Sequence, residues 1–177
     1  KPNDSIHILF AGGHLRQLSA DNPWIGLIDG KRTIVGGTVW GESLPKEHQA
    51  ERTDHALTVW VTHHDIFIPG YEESGRIRPS ELPGIQLIVN GHIHRRLAPV
   101  SKGGTHWITA GNITRRARSD ASRSHIPAVP CLFPLGQFGD DGDPVDTFDF
   151  QSQSGDSWHL RWIRVPHEPF DDVFHPE

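Results

Sequence analysis

Short apolar runs, separated by glycine, proline and polar loops, make up most of this chain. The runs Leu57–Thr62 and Ile85–Val89 are nearly continuous and rich in β-branched residues, which is typical of strands buried on both faces. Apolar and polar residues alternate in Trp158–Val165, as on a strand with one exposed face. The whole pattern predicts strands at Ile6–Ala11, Trp24–Ile28, Thr33–Gly36, Leu57–Thr62, Ile85–Val89, His106–Ala110, Ala128–Phe133 and Trp158–Val165.

Helical patterns are weaker than strand patterns. Pro45–Asp54 predicts a helix, because proline suits a first turn and good helix formers follow it. Pro79–Leu82 predicts one short helical turn. Gly136–Pro144 predicts an acidic loop; calcium binding is an alternative there, although the spacing and terminal glutamate of an EF-hand are missing. The sequence therefore predicts one sheet-rich domain of the α/β or α+β class, spanning residues 1–177.

Composition narrows the classes of protein. The chain has 177 residues, enough for one domain with a core, and its formal net charge of -5 argues against a globally basic nucleic-acid binder while leaving a local basic patch open. Cys131 is the single cysteine, so no internal disulfide forms and a cytoplasmic location is favoured. No run approaches the ~20 apolar residues of a membrane span, so no membrane partner is expected. Methionine is absent, and we expect the chain to be part of a longer protein.

A first histidine cluster follows the apolar run Ile85–Val89. In extended backbone, residues two apart point to the same side, so His92 and His94 are expected to project together while Ile93 enters the core. Two adjacent imidazoles can bind one metal ion jointly or two ions separately. The alternative is a pair of ordinary surface histidines.

A second cluster, Thr62–Asp65, follows the run Leu57–Val61. It contains His63 and His64, and imidazole is the commonest transition-metal ligand among the side chains. Open α/β sheets place their ligand sites where strands end, as both clusters do. The alternative is a loop whose histidines only make internal hydrogen bonds.

The order of these motifs resembles the calcineurin-like metallophosphoesterase family. His63-His64, the Gly-His-Ile-His segment Gly91–His94, and Gly111-Asn112 occur in the family's order, each after a predicted strand. Gly36–Gly41 resembles the strand and glycine turn before the first of them. The segment Val165–Phe170 resembles the closing strand of the DNA-repair exonuclease branch and its phage relatives. The resemblance implies a β-sandwich flanked by helices, incomplete at its N-terminus.

The resemblance also implies roles for the histidines. His63 and His92 would bind one metal ion and His94 the other, while His64 would act in catalysis near the phosphate or behind the ligands. The complete protein would hold two divalent ions, manganese, iron or zinc, and this chain alone would hold one. Asn90 and Asn112 are expected to shape turns.

The family's first motifs are Asp-x-His and Gly-Asp, but no Asp-x-His begins this chain and no Gly-Asp precedes His63. Gly12–Leu15 resembles a degraded Gly-Asn-His-Asp, with Gly13 in place of asparagine. On that alignment His14 would be the proton donor to the leaving group; the alternative is a loop histidine. We therefore expect a preceding segment or a partner subunit to complete the site, unless the site has decayed.

Arginines near the clusters indicate the substrate. Arg95 follows the His92–His94 pair, and Arg115 and Arg116 follow Asn112. The predicted substrate-binding residues are Arg95, Asn112, Arg115 and Arg116. Guanidinium groups suit phosphate backbones, so a nuclease acting on DNA phosphodiesters is the leading hypothesis. The alternatives are a solvated basic loop, a phosphatase or phosphodiesterase of small nucleotides, a non-catalytic binding module, and a single structural zinc site.

Overall fold

The computed structural model describes residues 11–13, 15–48, 57–113, 123–136, 144–152 and 154–173. Within these ranges the protein is mostly β-sheet, with nine strands and one helix of four residues. The elements are β1 (Trp24–Ile28), β2 (Lys31–Thr38), β3 (Leu57–Thr62), β4 (Leu87–Asn90), β5 (Leu97–Lys102), β6 (Thr105–Thr109), β7 (Ala128–Pro134), β8 (Pro144–Gln151), β9 (Ser157–Arg164) and α1 (Phe170–Val173).

Two sheets form the architecture. The first is a six-stranded mixed sheet in the order β1-β2-β3-β4-β6-β5, and the second is a three-stranded antiparallel sheet in the order β7-β9-β8. In the mixed sheet β2, β3, β4 and β6 run parallel, while β1 and β5 close the two edges as antiparallel strands. The carboxyl ends of four consecutive strands in the sheet therefore lie along one edge.

Apolar side chains fill the space between the two sheets. Alternation along β9 buries Trp158, Leu160 and Trp162 almost completely. They form one cluster with residues of the mixed sheet such as Leu57 and Val59 on β3. Burial of this much aromatic and aliphatic area is the main force that holds one sheet on the other.

Loop residues cover the opposite face of the mixed sheet. Trp60 on β3 and Trp107 on β6 are buried there together with Ile66, Ile85 and Ile93 from connecting segments. Their indole nitrogens donate hydrogen bonds, from Trp60 to Thr38 Oγ1 and from Trp107 to the carbonyl of Ser80, each at 2.8 Å. Both indole rings are thus buried with their N–H groups hydrogen-bonded.

The strand predictions are largely confirmed. Trp24–Ile28 and Leu57–Thr62 have the predicted bounds, and the runs predicted from Thr33, Ile85, His106, Ala128 and Trp158 overlap β2, β4, β6, β7 and β9. Two strands, β5 and β8, were not predicted. Of the predicted strand Ile6–Ala11, all but Ala11 lies outside the described residues.

The helix predictions are not confirmed. Pro45–His48 is not helical, and the remainder of Pro45–Asp54 lies outside the described residues. Pro79–Leu82 is irregular; the chain turns just afterwards, where Ile85 N donates to the carbonyl of Leu82 at 3.0 Å. Most of the acidic segment Gly136–Pro144 also lies outside the described part.

The expectation of an α/β sandwich flanked by helices needs correction. The part of the chain that the structure describes is mostly β-sheet, and irregular segments cover the outer face of its mixed sheet. The parallel arrangement of β2, β3, β4 and β6 is the portion that agrees with α/β organisation. No helix among the described residues has the length and apolar character needed to cross a membrane.

Candidate metal centre

Three loops with predicted site residues begin side by side at one edge of the mixed sheet. Thr62 at the end of β3 pairs with Asn90 at the end of β4, and Asn90 pairs with Thr109 at the end of β6. Thr38 at the end of β2 pairs with Thr62 on the other side, which brings a fourth loop to the same edge. Carboxyl ends of parallel strands are where open sheets of this kind bind ligands.

His63 and His92 meet at this edge. The backbone N–H of His92 donates a hydrogen bond to Nδ1 of His63 at 3.1 Å, and the two ring centroids are 5.3 Å apart. Both side chains are exposed to solvent. Because Nδ1 of His63 accepts this bond, its Nε2 carries the proton in the neutral ring. A metal ion on His63 would therefore replace the hydrogen bond from His92.

The environment of His63 favours its neutral form. Partial burial is the largest cause that lowers the pKa of His63 below 6.5, and repulsion from His92, His64 and His94 lowers it further. Neutral imidazole is the form that binds a metal ion. The surroundings of His63 therefore keep its ring in the form that can act as a ligand.

The backbone of His92 is unusual. Its φ is +61°, in the left-handed region that few residues other than glycine adopt. Ile93 N also donates to the carbonyl of Gly91 at 2.6 Å, and the Ile93 side chain is buried, as predicted. The expected extended backbone is therefore wrong at His92.

His94 lies close enough to His63 to lower its pKa, and its side chain is exposed. Its carbonyl accepts a hydrogen bond from Asn112 N at 2.9 Å, which fastens the loop after β4 to the loop after β6. Among the described residues, no group of three or more His, Cys, Asp or Glu side chains stands in a preformed metal-binding arrangement.

His64 is buried, unlike His63. Its Nδ1 contacts the hydroxyl of Thr62, and its Nε2 lies 2.7 Å from the carbonyl of Glu42. A carbonyl only accepts, so Nε2 carries the proton and Nδ1 accepts from Thr62. Both ring nitrogens thus have internal partners. This placement favours a role in holding two loops together over the predicted catalytic contact with phosphate.

Asn90 ties the loop after β3 to the loop after β4. Its side chain is fully buried; Oδ1 accepts from His64 N at 2.9 Å, and Nδ2 donates to the carbonyls of His64 and Gly91 at 3.0 and 2.8 Å. The prediction that Asn90 shapes the turn is confirmed. A buried amide with these bonds fixes the backbone from which both clusters project.

Two glycines allow the loops to approach closely. A Cβ on Gly91 would lie 2.7 Å from Nδ1 of His63. Gly111 has a φ of +77°, and a Cβ there would lie 2.6 Å from the backbone nitrogen of Arg96. Side chains at either position would push the histidine loops apart.

The predicted substrate-binding residues are only partly described. Arg95 is exposed, with its guanidinium 5.6 Å from the centre of the Tyr71 ring. The Asn112 carbonyl accepts from Nε2 of His125 at 2.8 Å, and the bond from Asn112 N to the carbonyl of His94 places Asn112 at the same edge. His14, Arg115 and Arg116 lie outside the described residues.

Trp40 was not among the predicted site residues. It follows β2, and its ring centroid lies 4.7 Å from that of His92 and 6.2 Å from that of His63. The sequence held one signal for it, since a loop after β2 must reach the same edge if β2 runs parallel to β3. Using this signal requires the order of the strands in the sheet, which the pattern of apolar and polar residues does not give.

Comparison with known proteins found no matching family model, curated protein or solved structure.

Proposed function

We propose that this protein is a metal-dependent phosphoesterase whose ligands include His63, His92 and His94. The observation that carries the proposal is the meeting of His63 and His92 at the carboxyl edge of four parallel strands. His94, in the loop after β4, lies close enough to His63 to lower its pKa. Three imidazoles suit zinc, iron or manganese.

By residue type, three imidazoles would suit one ion better than two. A bound divalent ion lowers the pKa of its water toward neutrality and neutralises phosphoryl oxygens. His63 and His92 would orient such an ion, and Asn90 with His64 would hold their loops in place. A bridged pair of ions also requires carboxylates. We propose that another segment or a partner subunit supplies them, as the resemblance implies.

We propose a nucleic-acid phosphodiester, most simply DNA, as the substrate. Support comes from Arg95, which follows His94 in sequence and is exposed, so its guanidinium can form charge-assisted hydrogen bonds with phosphate. Asn112, held between His94 and His125, would shape the neighbouring wall of the site. Small nucleotides offer the same phosphate chemistry and are the competing substrate class.

Replacing His92 with alanine tests the proposal. His92→Ala should lower Mn²⁺ or Zn²⁺ affinity at least tenfold, measured by calorimetry, and abolish metal-dependent cleavage of a DNA oligonucleotide. His167→Ala is the matched control, because His167 is exposed and its Nδ1 contacts the carbonyl of Val165. Unchanged metal affinity and full cleavage by His92→Ala would overturn the assignment.

One contact favours a second candidate, a phosphoesterase-like module that binds without hydrolysis. The hydrogen bond from His92 to His63 keeps the two loops together with protein atoms alone. Such a module would fold normally and purify without manganese, iron or zinc. Near-stoichiometric metal in the purified protein, measured by elemental analysis, would favour the enzyme instead.

A further inference from the structure

The exposed aromatic side chains of the described residues both lie beside the histidine loops. Trp40 is 58% exposed and Tyr71 is 44% exposed. Trp40 packs against His92, while Tyr71 contacts Arg95, which follows His94 in sequence. Exposed aromatic rings beside a phosphate site can bind a ligand that carries a flat apolar surface.

The loop that presents Trp40 is fastened on both sides. Before it, the Thr38 hydroxyl accepts from the buried Trp60 indole at 2.8 Å. After it, the Glu42 carbonyl lies 2.7 Å from Nε2 of His64, and Glu42 N donates to the carbonyl of Val39 at 3.3 Å. Trp40 is therefore a preorganised surface, which reduces the entropy lost when a ligand stacks on it.

The position of the Trp40 ring limits what it can contact. The ring is tilted by 35° from His92, with 4.7 Å between centroids, and more than half of its surface remains open. A phosphate held at His63 and His92 would bring the groups attached to it next to this open surface. In a nucleic acid, the neighbouring flat group is a nucleobase.

We propose that Trp40 stacks an unpaired nucleobase next to the bound phosphate, so that the preferred substrate is single-stranded nucleic acid or the frayed end of a duplex. This inference rests on the proposed function for the position of the phosphate. Inside a duplex both faces of a base are covered by neighbouring pairs, and the base must leave the stack to contact Trp40. Tyr71 and Arg95 provide a second exposed ring and a cation after the neighbouring His94.

Binding measured without metal tests the stacking separately from hydrolysis. The probe is a fluorescently labelled single-stranded DNA oligonucleotide, compared with an abasic oligonucleotide of equal length. Trp40→Ala should weaken binding of the base-containing strand about 5- to 150-fold and leave the abasic strand unchanged, because base–aromatic stacking is lost. Trp40→Phe should retain most of the affinity. Leu27→Ala, at a side chain 68% exposed on β1, is the control and should match the wild type.

The outcomes distinguish this inference from the proposed function. Equal losses for both strands, no loss for either, or equal wild-type affinity for blunt duplex and single strand would overturn the role of Trp40. Retained cleavage by His92→Ala alongside a selective loss in Trp40→Ala would overturn the metal assignment and leave the stacking role standing. Circular dichroism of each variant checks that the fold is intact.

Discussion

The adjacent residues His63 and His64 differ in burial and in hydrogen bonding. His63 is exposed and receives a hydrogen bond from the His92 backbone, whereas His64 is buried with both ring nitrogens engaged. The residue pattern places both in one candidate site, and only the family resemblance gives them different roles. The separation comes from Glu42 and Asn90, which lie far from His64 in sequence and meet it only after the sheet forms.

The titration of His63 provides a prediction at this scale. In the metal-free protein its pKa should lie below 6.5, first because of partial burial and then because of repulsion from His92, His64 and His94. His92→Asn removes one of these charges, so the pKa of His63 should rise but stay below 6.5 while burial persists. Histidine ring signals in an NMR pH titration measure both values.

The sign of the linked stability change follows. Between the lowered pKa and 6.5 the folded state binds fewer protons at His63 than the unfolded chain, so stability falls as pH drops through this window. His167→Asn should leave the His63 titration unchanged. A His63 pKa at or above 6.5 in the wild type would contradict this account.

The strands could be predicted from the sequence where their side chains are strongly buried. The run at β3 predicts its own bounds, because it is a nearly continuous apolar and β-branched run, as in strands of a parallel sheet. β5 was not predicted, because it contains Pro99 and few apolar residues. It is an edge strand, where proline is tolerated. In β8, the alternation of Phe148 and Phe150 with polar residues was a usable signal. The pairing order of the strands was not readable, because it depends on contacts distant in sequence.

The packing of β2 against β3 provides a prediction at the scale of elements. Gly36 pairs with Trp60, and a Cβ on Gly36 would lie 2.3 Å from the indole ring. Trp60 is fully buried and fixed by its bond to Thr38, so the ring has little freedom to move. Gly36→Ala should therefore destabilise the protein by about 1–3 kcal/mol through overpacking.

Urea unfolding measures this loss, and the chain offers a matched control. Gly104 lies in the turn between β5 and β6, where the nearest atom to an added Cβ is Glu81 Oε1 at 3.6 Å, an ordinary contact. Gly104→Ala should change stability by no more than about 0.5 kcal/mol. Equal midpoints for Gly36→Ala and the wild type would contradict the tight contact between these strands.

At the scale of the molecule, the site is built on one sheet and the second sheet supports it from a distance. The histidine loops project from the mixed sheet, whose inner face packs against Trp158, Leu160 and Trp162 of β9. The sequence predicts both the half-exposed character of β9 and the histidines at strand ends. It did not predict that irregular segments cover the outer face of the mixed sheet. The described residues include no long helix on that face.

If the two sheets form one cooperative unit, damage to β9 must reach the histidine edge. Trp162 is fully buried between the sheets, so Trp162→Ala should cost about 3–5 kcal/mol, a large part of the 5–15 kcal/mol that stabilises a typical domain. Trp162→Phe should cost less, because among the described residues the Trp162 Nε1 has no hydrogen-bond partner to lose. In urea, tryptophan fluorescence and the NMR signal of His92 should report one shared transition at a lowered midpoint. A His92 signal that outlasts the fluorescence transition would show that the mixed sheet holds the site without the second sheet.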